Sequence, residues 1–139
     1  MGIELKLFIS LNKTVNSFTK KTNKIVTQYD ITYSQFAVLE VLYHKGALSV
    51  GEVKEKILSS SGTIAIIIKN LEKNDLIVKF QDNKDKRKYI LKLTNKGMNL
   101  ISEVFPKNEE MIINSMNVLN FAEQEYMLNC LKKITGYKR

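Results

Sequence analysis

The sequence predicts a mainly α-helical chain interrupted once by a small β-hairpin, and three observations carry that expectation. Apolar residues recur every three or four positions over most of its 139 residues. Between residues 77 and 93 the period shortens to two. Five short polar segments have the form of helix N-caps, each just ahead of an apolar series.

Leu7, Leu11, Val15, Phe18, Thr22 and Ile25 lie on one face of a long helix over about 3–28, with Lys6, Lys13, Lys20 and Lys24 on its other sides. Thr32-Tyr33-Ser34-Gln35 reads as a capping box opening a helix that carries Phe36, Leu39, Leu42 and Tyr43 and stops before Gly46. A second box, Ser49 with Glu52, opens a short helix holding Val53 and Ile57. Ser59-Ser60-Ser61 offers the next cap, for a helix whose inner face is Ile64, Ile67, Ile68 and Leu71 and whose outer positions are Ser61, Thr63, Ala65, Ile66, Lys69 and Asn70. Asn74-Asp75 ends it, since both residue types tolerate the left-handed conformation. Val78 and Phe80 then alternate with Lys79 and Gln81, and Tyr89, Leu91 and Leu93 with Ile90 and Lys92, around a polar turn at 82–88. Thr94 caps a helix through Leu100, Ile101, Val104 and Phe105, which Pro106 is expected to kink or break. Asn120 with Glu123 opens a last helix carrying Met127, Leu131 and Ile134, with Cys130 near its buried side.

Short helix, turn, helix, hairpin is the order of a winged helix-turn-helix. The fold class is therefore mainly α with a small β wing. One domain spans 1–139, its winged part about 32–94 flanked by amphipathic helices about 3–28 and 95–135. Charge agrees with that division. Of the net +8, residues 49–96 carry +5 and residues 1–48 carry +3, while the tail is neutral. A basic middle suits a polyanion, and residues 49–96 form the expected DNA-contacting part.

Each candidate contact has a physical rationale. Ser60, Ser61, Gly62 and Thr63 form a small, polar first turn that lets the backbone approach phosphate or base edges. An exposed Ile66 meets a thymine methyl, with Lys69 and Asn70 beside it. Gln35 is included as a further contact. At the tip, Lys84, Lys86, Arg87 and Lys88 crowd four cations onto one turn, suited to phosphates and to the negative potential of a narrow minor groove. Asp85 is expected to pair with a neighbouring cation and shape the wing.

Other chemistries find little support. One His44 and one Cys130 make a poor metal set, no cofactor is implied, and no nucleophile–base or phosphate-loop motif appears. No apolar run reaches the length of a membrane span, and the single cysteine fits a reducing cytoplasm. Phe8, Leu11, Val15, Phe36, Leu39 and Tyr43 are grouped as a candidate pocket for a small hydrophobic or aromatic effector. The alternative function is a winged-helix module docking an acidic protein. The polar turn at 60–63 speaks against it, because a protein-docking helix shows a larger apolar face.

Thr32-x-x-Gln35-Phe36-x-Val38-Leu39, Leu71-Glu72-Lys73-Asn74-Asp75-Leu76-Ile77, Asp82-x-x-Asp85-Lys86-Arg87 and Leu93-Thr94-x-x-Gly97 together resemble the multiple antibiotic resistance regulator (MarR) family, over about residues 3–135. The resemblance implies a triangular helical homodimer binding double-stranded DNA, acting as a repressor on a pseudo-palindromic operator. It also implies that the flanking helices at about 3–28 and 95–135 are dimerisation helices. Ser61-Gly62-Thr63 further resembles the branch with organic-hydroperoxide sensors and staphylococcal virulence regulators. This chain departs from the pattern in three places. Its first helix lacks the sensing cysteine, Ile66 stands where many relatives have arginine, and Lys86 replaces the first of two wing arginines. Lysine lacks the planar fork of arginine, so Arg87 is left as the minor-groove candidate.

Overall fold

The computed structural model describes residues 1–57 and 61–136. Helix α1 (Ile3–Val26) runs into a 3₁₀ turn at Thr27–Tyr29, two residues inside the expected helix end. Helix α2 (Tyr33–Lys45) follows, then strand β1 (Leu48–Ser49), α3 (Val50–Ile57) and α4 (Ser61–Lys73). Strands β2 (Ile77–Gln81) and β3 (Tyr89–Leu93) form the hairpin, and α5 (Asn95–Met116) and α6 (Phe121–Thr135) complete the chain.

The caps lie where the sequence puts them. Thr32 Oγ1 accepts from the Gln35 amide while Gln35 Oε1 accepts from the Thr32 amide. Ser49 with Glu52 and Asn120 with Glu123 repeat that reciprocal pattern. The expected cap at Ser59 and Ser60 lies outside the described residues.

Three features differ from expectation. The wing has a third strand: β1 pairs with β3, Leu48 opposite Leu91, giving the antiparallel order β1-β3-β2. Two residues are too few to show a periodicity, so β1 left no signal in the sequence. On β2 the buried residue is Ile77, whereas Val78 and Phe80 face solvent. Helix α5 continues unbroken past Pro106. Proline removes one N–H from the helical ladder, but Ile101 and Val104 before it and Asn108 after it are all buried, with α5 packed against α1 and α2. That tertiary burial outweighs the local defect.

One core joins these elements. Val38, Leu39 and Leu42 of α2 meet Val53 of α3, Leu71 of α4, Leu91 of β3 and Ile101 of α5, all at most 2% exposed. Large apolar side chains outside that core remain exposed along the first half of α1 and along α6, among them Leu5, Phe8, Val15, Phe121 and Tyr126. No residue of α6 is buried in the single chain, and Cys130 is half-buried rather than part of the core. The sequence places it nearer the interior because an amphipathic face looks the same whether it meets its own chain or another. None of the helices is long and apolar enough to cross a membrane among the described residues.

Candidate nucleic-acid interface

Helix α4 presents the two faces its spacing implies. Ile64, Ile67, Ile68 and Leu71 are buried, while Gly62, Thr63, Ala65, Ile66, Lys69 and Asn70 are exposed. Ile66 is 64% exposed, a costly place for a branched apolar chain facing only water. Ser60 and the Ser61 side chain lie outside what the structure describes.

The end of α4 fixes where the wing begins. The Leu76 amide donates to Leu71 O at 2.9 Å and the Asp75 amide to Glu72 O at 3.0 Å, with Asp75 left-handed at φ 60°. This is a Schellman termination, closed by the buried pair Leu71 and Leu76. The start of α5 clamps the same corner. Thr94 Oγ1 donates to Asp75 O at 2.7 Å, the Thr94 amide to Leu76 O at 3.1 Å, and Lys96 Nζ to Asn74 O at 3.0 Å. Gly97 donates its amide to Thr94 Oγ1 at 3.0 Å. A Cβ on Gly97 would stand 2.0 Å from Leu76 O, so glycine is what lets α5 come this close to the hairpin. The sequence offered Thr94 as a cap and Gly97 only as a motif letter. Their grip on the end of α4 depends on contacts across about twenty residues, which no local pattern shows.

Both aspartates of the wing tip act on backbone. Asp82 Oδ1 accepts from the Lys84 amide at 3.2 Å, and Asp85 Oδ1 accepts from the Arg87 amide at 3.1 Å, each forming a local turn. The turn closes with the Asp82 amide donating to Lys88 O, while Gln81 Nε2 donates to Lys86 O. Asp85 also receives the Arg87 guanidinium, Nε on Oδ1 at 3.1 Å and an η nitrogen on Oδ2 at 3.3 Å. Those hydrogen bonds, from side chain and then backbone, hold the Asp85 carboxyl below its ordinary range. Arg87 keeps 91% of its side chain exposed, anchored at one edge with the rest facing out. Asp82, Gln81 and their turn-forming role were missed at the sequence level, although two aspartates three residues apart in a tight turn are a readable signal.

A groove of about 690 Å³ runs between α3, α4 and the hairpin. Lys54, Lys69, Lys79, Arg87 and Lys88 line it against one acid, Glu72, so α4 and the wing share one basic surface. Lys84 and Lys86 stand exposed at the tip beyond it. Gln35 does not join this surface. It is buried, with Oε1 committed to the α2 cap, so the residue grouped with the DNA contacts is a structural one.

The six residues grouped as an effector pocket are not brought together. Phe8 and Val15 are exposed on α1, Leu11 is half-buried, Leu39 is core, and Tyr43 packs on Phe105 with ring centroids 5.9 Å apart. Only Phe36 of the six lines an open cavity of about 550 Å³ between α1, α2, α3 and α5. Its apolar walls include Phe18, Phe36, Ile112 and Met116, and its polar lining groups are Glu40, Lys56, Thr22, Asn108 and Tyr33. A helical stripe gives a face and not which neighbour covers it.

Similarity to known proteins agrees with this geometry. The family described as Transcriptional regulator SarA/Rot matches residues 20–104. The HTH-type transcriptional regulator MhqR of Bacillus subtilis (strain 168) is 33% identical over 130 residues, covering 94% of this chain and 90% of that protein. Two solved structures share the fold. The MepR–DNA complex of S. aureus superposes with a TM-score of 0.82 at 24% identity, covering 98% of each chain. BpsR of Bordetella bronchiseptica, whose DNA binding is regulated by 6-hydroxynicotinic acid, superposes with a TM-score of 0.85 at 23% identity, covering 99% of each. With its capped helix-turn-helix, clamped wing and shared basic groove, this chain belongs to the MarR family of winged helix-turn-helix transcription regulators.

Proposed function

We propose that the chain is a cytoplasmic repressor that binds a pseudo-palindromic operator as a homodimer. Helix α4 enters the major groove and the wing tip reaches the flanking minor groove. The observation that carries this reading is the continuous basic groove from Lys69 to Arg87 and Lys88. A helix in a major groove with a cation-bearing hairpin alongside contacts two adjacent grooves of one duplex. Thr63, Ile66, Lys69 and Asn70 read base edges, with Gly62 in the first turn of α4 approaching the backbone. Lys84, Lys86 and Lys88 meet phosphates, and Arg87, held by Asp85, enters the minor groove.

Residues of about 32–94 form the reading head, and those of about 3–28 and 95–135 pair with a second copy. The exposed apolar side chains of α1 and α6 supply the interface, since a single chain would leave them in water. A two-fold dimer then sets its recognition helices about 34–36 Å apart, one turn of duplex. The 550 Å³ cavity is of the size that holds small ligands and sits where α1 and α5 meet α2 and α3. A small aromatic effector there would bias the angle between the dimer helices and the reading head.

Selection of bound duplexes from a random pool, paired with sedimentation of the free protein, tests this reading. The expected result is an enriched inverted repeat with half-sites one turn apart and a dimer at micromolar concentration. A pool without enrichment, or a stable monomer, would overturn it.

A further inference from the structure

Two polar groups in the 550 Å³ cavity have no hydrogen-bonding partner among the described residues. Asn108 of α5 is 5% exposed and accepts the Thr22 hydroxyl on Oδ1 at 2.8 Å, but its amide nitrogen donates to no acceptor among the described residues. Every fully buried side-chain polar atom there is satisfied, so this nitrogen reaches solvent, and the space it lines is the cavity. Glu40 of α2 lines the same space, half-buried, with no hydrogen bond or ion pair among the described residues. Burial raises its carboxyl above the ordinary glutamate value, opposed by His44 one helical turn away. Lys56 of α3 also lines the cavity, with its side chain exposed, and its charge contributes to lowering the Glu52 carboxyl.

We propose that this cavity selects aromatic amines over aromatic carboxylates, seating a protonated amine on Glu40 and a ligand oxygen on the Asn108 amide. The proposal rests on the effector reading above and names the chemistry of that effector. Its physical basis is complementarity. The apolar walls Phe18, Phe36, Ile112 and Met116 cover the faces of a ring, and the polar groups to be matched there are the half-buried Glu40 carboxylate and the buried Asn108 amide, with the Lys56 ammonium exposed to water. A carboxylate ligand would instead set like charge against Glu40 in a partly desolvated space, and an unmatched half-buried charge is costly.

Tyramine and 4-hydroxyphenylacetate test this, because they share a phenol body and differ in the charge at the other end. Calorimetric titration of the full chain at pH 7.5 is expected to show tyramine bound at least about tenfold more tightly. Glu40→Gln is nearly isosteric and should bring the two to parity by weakening tyramine, whereas Glu40→Asp should keep the preference. Equal or tighter binding of the acid, a ratio untouched by Glu40→Gln, or no heat from either compound would overturn the proposal. If the acid binds and releases the operator, charge selection fails while the effector reading stands. Absence of operator binding by the ligand-free chain would strike the regulator reading instead, which calorimetry does not touch.

Discussion

Replacing Gly97 by alanine places a methyl group 2.0 Å from Leu76 O, 3.0 Å from its carbonyl carbon and 3.3 Å from Leu93 Cδ2. Ordinary van der Waals contact begins near 3.4 Å, so the carbonyl oxygen must retreat by about 1.4 Å. That oxygen accepts the Thr94 amide at 3.1 Å, and the shift breaks the bond. An orphaned donor costs about 1–3 kcal/mol and overpacking about 1–3 kcal/mol. Against these stands a gain of about 1 kcal/mol, because alanine is the better helix former. The net loss is about 1–5 kcal/mol, read as a lower urea midpoint at unchanged m-value. Operator affinity should fall further than stability explains, because Leu76 joins α4 to the wing. Gly62→Ala is the matched control. No atom of the described residues lies within 4 Å of its added methyl group, so stability should hold or rise by up to about 1 kcal/mol. A Gly97→Ala protein as stable as wild type would refute the clamp at this corner.

Four further outcomes follow from the same geometry. In a double-mutant cycle on operator binding, Asp85→Ala should weaken binding in the wild-type background but much less beside Arg87→Ala. Additive losses would separate the two residues. Ser49→Ala removes the hydroxyl that accepts the Glu52 amide at 3.1 Å and should cost about 0.5–2 kcal/mol in urea unfolding. The Glu52 carboxyl is held low first by the Ser49 backbone and then by its side chain. Its share of stability is therefore present above the unfolded glutamate pKa and lost as pH falls through the folded value. The loss caused by Glu52→Gln should shrink between pH 7 and pH 3, and a loss constant with pH would contradict that origin. Ile66→Ala should change base preference in a duplex pool by about 1–3 kcal/mol at one position while leaving the unfolding free energy within about 0.5 kcal/mol. A stability loss without altered preference would make Ile66 structural.

What could be read from the sequence was whatever is local. The reciprocal caps at Thr32, Ser49 and Asn120 declare themselves within four residues, and the inner and outer faces of α4 follow from helical spacing alone. The chain order also identified the winged helix. What stayed hidden depends on contacts between distant residues. Strand β1 exists because Leu48 meets Leu91, Pro106 stays helical because residues on both sides of it are buried, and Gln35 is withheld from the DNA surface because its own cap consumes it. The cavity shows the same limit. Its polar groups Glu40 and Asn108 come from helices that are neighbours only in the folded chain, and neither carries a recognisable motif.

The salt dependence of operator binding tests the DNA reading most directly. For a labelled duplex, the logarithm of the binding constant should fall linearly with the logarithm of salt concentration, at about 0.9 per neutralised phosphate. Lys84→Ala or Lys88→Ala should each reduce that slope by about 1, the share of a single phosphate, with little change in sequence preference, while Arg87→Ala should weaken binding markedly. Binding that ignores salt, or a slope and affinity unchanged by all three substitutions, would contradict the assignment of the wing to DNA.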